Sequence, residues 1–287
     1  MMEKTVPAYA KVNLTLDILR RREDGYHDLR MVMQSISLHD VVTVRTETGS
    51  GDISVQTVGE DLPAGPGNIA WKAADVFFRE TGLRNGGVSV LLEKHIPVSA
   101  GMAGGSTDGA AVLRALRDVL CPEMPNTELE RLGALVGSDV PFCLRGGTAL
   151  AEGRGEILTD LPPMPNCWMT VCRPDFGLST VEMFGRVRAA SLTGRPDHAA
   201  MEAALVAGDL PAVASQLSNV FSQVLTEGER QAVDCIRTAM LENGALNAVM
   251  TGSGPTVFGI FAEETAARAA AEILKASYAR TYVAQPI

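Results

Sequence analysis

The run Pro97-Val-Ser-Ala-Gly-Met-Ala-Gly-Gly-Ser-Thr107 constrains this chain more than any other segment. A strand-like stretch, Val88 to Glu93, precedes it, and a helix-like one, Gly109 to Leu120, follows. Glycines in a strand-to-helix turn let backbone N–H groups close on an anion, and the helix dipole favours negative charge at that spot. Ser106 and Thr107 end the run with hydroxyls that suit a helix cap, a magnesium ligand, or both in turn. A nucleotide phosphate fits this chemistry; a flexible loop with an ordinary cap is the plain alternative. The spacing is neither Gly-x-x-x-x-Gly-Lys-Ser/Thr nor Gly-x-Gly-x-x-Gly, which sets aside the usual P-loop and weakens a dinucleotide reading.

Size and composition narrow the class. A chain of 287 residues suits one large domain or two modest ones, and 46% hydrophobic with 21% charged residues is ordinary for a globular protein. No apolar run approaches the ~20 residues of a membrane span, and Met1-Met-Glu-Lys-Thr lacks the apolar core of a signal peptide. The expectation is a cytoplasmic protein with no membrane partner. Five cysteines, an odd number with no Cys-x-x-Cys pair, fit reduced thiols. Four scattered histidines argue against a zinc site. A net charge of −9 argues against a nucleic-acid partner, yet an acidic protein still binds ATP where magnesium offsets the phosphate charge. Oligomeric state is left open.

Along the chain, Lys11 to Ile18 alternates with period two. Val12, Leu14, Leu16 and Ile18 share one face, Lys11, Asn13, Thr15 and Asp17 the other. This reads as a strand with one face on a core and one polar face. Lys11 is either a solvated edge lysine or, with Asn13 beside it, part of a site. Further strands are expected at 31–38, 41–45, 53–58, 148–151 and 168–172, and a helix at 68–80. Another helix starts at Asn126, with Thr127 and Glu130 in capping-box register. The Gly- and Pro-rich stretch from Gly153 to Pro165 is the expected boundary, giving lobes 1–155 and 156–287. Helices near 179–190, 198–206, 229–242 and 263–276 alternate with strands near 247–250, 256–261 and 281–284, which predicts an α+β fold with largely antiparallel sheets.

Phosphoryl transfer to an alcohol needs cradled phosphates, neutralised charge and an aligned, deprotonated hydroxyl. The 97–107 run answers the first need, and Lys11 is a candidate for the second. Asp139, in Gly137-Ser-Asp-Val-Pro-Phe, is the best carboxylate for the third; capping of a turn is its other reading. Asp24-Gly25 signals a turn, followed by Tyr26 and His27.

These segments, with Ala8-Tyr-Ala-Lys-Val-Asn-Leu-Thr-Leu, Gly146-Gly-Thr-Ala-Leu-Ala-Glu-Gly-Arg-Gly and Thr251-Gly-Ser-Gly-Pro-Thr, resemble the GHMP kinase superfamily from near the N-terminus to about Phe261. The resemblance is closest to the branch that phosphorylates the 2-hydroxyl of a cytidine diphosphate-linked methylerythritol. It implies a ribosomal-protein-S5-like nucleotide lobe, a ferredoxin-like second lobe and an active site between them. It implies ATP as co-substrate, with Mg2+. Lys11 and Asp139 fall on the family's catalytic pair. Asn13, Tyr26, His27, Thr180 and Phe184 are implied for the acceptor, Tyr26 and Phe184 by stacking on the base and His27 by hydrogen bonding; Phe184 as helix core is the alternative. Asn68, Lys94, Pro97, Val98, Ser99, Ala100, Gly101, Met102, Ala103, Gly104, Gly105, Ser106 and Thr107 are implied for ATP, with turn or strand-end chemistry as the other reading of Asn68 and Lys94. Ser106 and Thr107 are the candidate magnesium ligands. The chain departs from the family pattern at Met102, Thr107 and Gly109, and in Asn219-Val-Phe-Ser.

Overall fold

The computed structural model describes residues 2–47, 49 and 51–287. They form two compact units: unit 1 comprises Met1–Ala10, His39–Val98 and Ala103–Gly146, and unit 2 comprises Lys11–Leu38, Ser99–Met102 and Gly147–Ile287. This partition differs from a single cut near 155. The first two strands, β1 (Met2–Arg21) and β2 (His27–Thr46), are each 20 residues long and pass from one unit into the other.

In unit 1, β2 pairs antiparallel with β4 (Val88–Glu93), and β4 pairs parallel with β3 (Ile53–Val58). A parallel pair needs a crossover, supplied here by α1 (Ile69–Thr81). Then follow α2 (Gly104–Leu120), α3 (Asn126–Val136) and the short α4 (Val140–Arg145). Their apolar faces meet the strands in a core that includes Val42, Val44, Phe77, Leu92, Leu113, Leu116 and Leu132. Helix α2 starts at Gly104, five residues before the expected start. Helix α3 begins after Pro125 with no side-chain cap, so the expected capping box at Thr127 does not form. The two strands expected at 31–38 and 41–45 are one, because Asp40 stays in β2 and turns its carboxylate to the backbone N–H groups of His95 and Ile96.

In unit 2, β1 pairs parallel with the two-residue β8 (Ser218–Asn219). Strand β2 pairs with β5 (Thr148–Gly153), which turns back into β6 (Ile157–Asp160). The expected boundary stretch is therefore a hairpin. A second sheet contains β7 (Trp168–Cys172), β9 (Asn247–Met250), β10 (Val257–Phe261) and β11 (Thr281–Ala284), in the order β11-β7-β10-β9. All its pairings are antiparallel. With α8 (Glu227–Glu242) and α9 (Glu264–Lys275) as crossovers, the chain order is βαββαβ, the ferredoxin-like arrangement. Between β7 and α8 lie α5 (Thr180–Arg186), α6 (His198–Ala207) and α7 (Leu210–Ser215). The capping box that does form is at α8, between Thr226 and Glu229.

The alternation read along β1 is real, but its polar face is not solvated. Lys11, Asn13, Thr15 and Asp17 are all at most 4% exposed.

In unit 1 the packing of α1 on α2 depends on Gly109, where an added Cβ would stand 2.9 Å from Ile69 Cγ2. Gly109→Leu should therefore push the helices apart and destabilise the protein by about 1–3 kcal/mol. A lowered urea midpoint with unchanged slope is the expected readout.

Candidate active site

Unit 2 gathers its polar groups around one amide. Asn13 Oδ1 accepts from Lys11 Nζ at 2.7 Å, from the Gly252 N–H at 3.1 Å and from Thr251 Oγ1 at 3.4 Å. The Asn13 N–H in turn donates to Thr251 Oγ1 at 2.9 Å. Lys11 Nζ also reaches the Gly101 carbonyl at 3.3 Å, and its N–H donates to the Met102 carbonyl at 3.3 Å. Lys11 is thus no edge lysine: β1 aims its ammonium at the glycine-rich loop. That loop meets the 251–254 turn backbone to backbone. A Cβ on Gly101 would stand 2.3 Å from the Thr251 carbonyl oxygen, and one on Gly252 2.4 Å from the Gly101 carbonyl oxygen. Asn219, at the end of β8, clamps the turn by donating to the carbonyls of Met250 at 2.7 Å and Gly252 at 2.8 Å. Sequence reasoning missed this role of Asn219, whose segment stands out there only as a departure from the family pattern. Thr180, at the start of α5, lies 3.0 Å from Ser253 Oγ on the same turn.

The aromatic residues expected to meet a base also lie in unit 2. The rings of His27 and Phe184 stack at 5.0 Å with 22° between planes, and Phe184 meets Phe221 edge-on at 5.0 Å. Phe184 is only half-buried, so it is not plain helix core. Burial, with help from Arg21, holds the His27 imidazole below its usual range, which keeps it neutral near pH 7 and able both to donate and to accept. Tyr26 is 56% exposed.

Helix α2 belongs to unit 1. Ala103, in the left-handed region at φ 60°, precedes α2 without a side-chain cap, and the first turn holds no acidic residue. Ser106 and Thr107 therefore do not cap: they are inside the helix. The Thr107 hydroxyl donates to the Gly104 carbonyl at 2.7 Å and is buried, so it does not fit a metal ligand; half-buried Ser106 does. Ser99 and Gly101 are also left-handed, at φ 54° and 74°. The loop thus winds through three such residues on alternate positions, anchored by the buried side chains of Ala100 and Met102. Of the expected nucleotide residues, Pro97, Val98 and Ala103 to Thr107 belong to unit 1, and Ser99 to Met102 to unit 2.

Two expected ligands have structural duties instead. Asn68 caps α1: its Oδ1 accepts from the Ala70 N–H at 2.9 Å and its Nδ2 donates to the Pro63 carbonyl at 2.8 Å. The Lys94 ammonium is buried between Asp40 and Asp108. Burial pushes the Asp108 carboxyl up to about 7 against the pull of Lys94, and its Oδ1 has no partner. Lys94 Nζ is 3.7 Å from where a Gly104 Cβ would stand, so this cluster underlies the start of α2. Neither Asp40 nor Asp108 was singled out from sequence. Asp139 sits before α4, half-buried, and its side chain makes no capping bond to that helix.

Comparison with known proteins places the family. Residues 68–147 match the model of the GHMP kinases N terminal domain, and residues 201–280 that of the GHMP kinases C terminal. The chain is 39% identical over 282 residues to the 4-diphosphocytidyl-2-C-methyl-D-erythritol kinase of Clostridium tetani, covering 98% of this chain and 99% of that one. It is 41% identical to the enzyme of the same name from Lachnoclostridium phytofermentans, covering 93% and 90%.

The chain belongs to the GHMP kinase family.

A solved 4-(cytidine 5'-diphospho)-2C-methyl-D-erythritol kinase superposes with a TM-score of 0.81 at 33% identity, over 99% of both chains. The Leishmania major mevalonate kinase, at 16% identity and a TM-score of 0.73 over 99% and 95%, shares the fold alone. The two-lobed α+β fold expected of this GHMP kinase is the one observed.

The polar face of β1 continues past the site. Thr15 Oγ1 lies 3.0 Å from His198 Nδ1 on α6, and burial, then Arg30, hold that imidazole below its usual range. The folded protein thus resists the proton that the unfolded chain takes up near pH 6.5. Stability contributed by His198 is complete above pH 6.5 and is lost as pH falls toward the depressed folded value, at up to about 1.4 kcal/mol per pH unit. His198→Asn keeps a group at the Nδ1 position and should flatten that part of the profile. Urea midpoints between pH 5 and 7.5 would check it; equal acid sensitivity in both proteins would exclude His198 as the cause.

Proposed function

We propose that this GHMP kinase transfers the γ-phosphoryl group of ATP to the 2-hydroxyl of 4-diphosphocytidyl-2-C-methyl-D-erythritol, yielding the 2-phosphate and ADP in non-mevalonate isoprenoid precursor synthesis. The observation that carries the reading is 39% identity over 98% of the chain to a kinase of that name. A cytoplasmic location follows from the same reading, since ATP is the donor; no helix among the described residues is long and apolar enough to cross a membrane.

The mechanism follows from what each group has to offer. The uncapped end of α2 and the loop N–H groups receive the triphosphate, with the helix dipole favouring its charge. Asp139, which falls on the family's catalytic pair, orients the acceptor hydroxyl and takes its proton. Lys11, fixed by Asn13 and the Gly101 carbonyl, offsets charge developing on the transferring group. Tyr26 and Phe184 offer ring faces to the cytosine, His27 hydrogen-bonds to it, and Thr180 lies near the acceptor chain. No group of three or more His, Cys, Asp or Glu among the described residues is arranged to hold a metal by itself. Ser106 is the hydroxyl suited to a magnesium ion that arrives with ATP, and such an ion neutralises triphosphate charge when bound.

The purified protein with magnesium-ATP should phosphorylate the cytidine diphosphate-linked alcohol and leave homoserine and mevalonate untouched. Comparable turnover of either simple alcohol would sink the assignment, and activity surviving full chelation by EDTA would remove magnesium from it. Asp139→Asn should keep the fold and both Michaelis constants and lose about 100- to 10,000-fold in kcat. Lys11→Met should also lose turnover, and the double variant far less than the product of the two, because the pair acts as a unit. Near-wild-type kcat in folded Asp139→Asn would move the base elsewhere.

A further inference from the structure

The turn between β5 and β6 carries Gly153-Arg-Gly-Glu156, to which the proposed reaction assigns no part. Its position follows from register. Leu29 pairs with Gly153 and Arg30 with Glu152, so the β5–β6 turn emerges beside the start of β2 and the loop that bears Tyr26. There the Arg154 guanidinium carbon lies 5.1 Å from the centroid of the Tyr26 ring.

Arg154 is held in that place. Its Nε donates to Glu156 Oε1 at 3.3 Å, and its backbone N–H to Oε2 of the same carboxylate at 2.6 Å. Gly153 and Gly155 on either side adopt φ of 69° and 113°, a turn that side-chain-bearing residues resist. The Tyr26 loop is braced as well: Arg22 Nη1 donates to Asp28 at 2.8 Å, the Arg22 N–H to the Tyr26 carbonyl at 2.8 Å, and the Tyr26 N–H to Asp24 Oδ1 at 3.1 Å. Yet the Tyr26 ring itself is more than half exposed, and Arg154 is the cation over it.

The neighbouring rings show why this matters. His27 and Phe184 stack at 5.0 Å, a spacing too small for a base to enter between them. A platform for a flat base must then be an open ring face, and Tyr26 offers one. A cation against one face of a tyrosine attracts the ring quadrupole and fixes the ring, so less freedom is lost when a base stacks on the other face.

We propose that Arg154 is a positioning residue for the acceptor: lying over Tyr26 and tied by Glu156, it holds the tyrosine ring as a preformed platform for the cytosine base. The inference rests on the cytidine-linked acceptor of the proposed function. Turnover of that acceptor by the wild-type protein is therefore measured first, and its absence would overturn the substrate assignment before any variant is read. With turnover in hand, Arg154→Ala should raise the acceptor KM by about 2- to 5-fold, the range of an exposed cation–π contact, with kcat within about twofold and the KM for ATP unchanged. Arg154→Lys should recover part of the loss, and Glu156→Gln should shift the acceptor KM in the same direction by less. In a Tyr26→Ala background, Arg154→Ala should add nothing. An unchanged acceptor KM in Arg154→Ala would overturn the proposal. So would an equal rise in the KM for ATP, which marks a general structural defect. A full additional loss in the Tyr26→Ala background would also overturn it, because Arg154 would then act on the substrate directly.

Discussion

Two glycines placed backbone to backbone carry the unit 2 part of this site. Gly101 and Gly252 approach so closely that a Cβ on either would stand within 2.4 Å of a main-chain oxygen of the other segment. Both adopt left-handed φ values, 74° and 56°, so space and conformation each demand glycine. The contact lets Asn13 bond simultaneously to the lysine beside it and to the 251–252 turn. Removing that approach would leave a buried amide, a buried ammonium and two backbone groups to find other partners, each at a cost of about 1–3 kcal/mol.

The loop stores some strain in return. Ser99 and Ala103 sit in the left-handed region, which disfavours residues with a Cβ by roughly 1–2 kcal/mol each. Buried Ala100 and Met102 between them, and the charged cluster of Asp40, Lys94 and Asp108 beneath the helix start, hold the segment in place.

Much of this was legible in the sequence, and what was not has specific causes. The glycine run, the alternation along β1 and the Tyr26-His27 turn are local patterns, and local patterns survive in one dimension. The start of α2 was misjudged because its cap is Ala103, a residue with no capping side chain to signal it. The burial of Lys11, Asn13, Thr15 and Asp17 was hidden because period two shows that a strand has two faces, not what covers the second. Asp40 and Asp108 look like surface acids until Lys94, 54 and 14 residues away, is brought between them. Asn68 and Lys94 were expected at the nucleotide through the family resemblance; residue type alone does not reveal that one caps a helix and the other closes an ion cluster.

The partition of the chain has a genetic reading. The backbone changes unit after residues 10, 38, 98, 102 and 146, so neither unit corresponds to an uninterrupted stretch of coding sequence. Strands β1 and β2 belong to both, and a strand inverts its faces with every one-residue shift. Inserting or deleting a single codon near the middle of β1 would therefore exchange Lys11 and Asn13 for apolar neighbours on one side while leaving the other side in register. Substitutions there test one residue at a time; a frame-preserving indel tests the alignment of two units at once. Length variation in this gene should accordingly collect in the turns and not in its two longest strands.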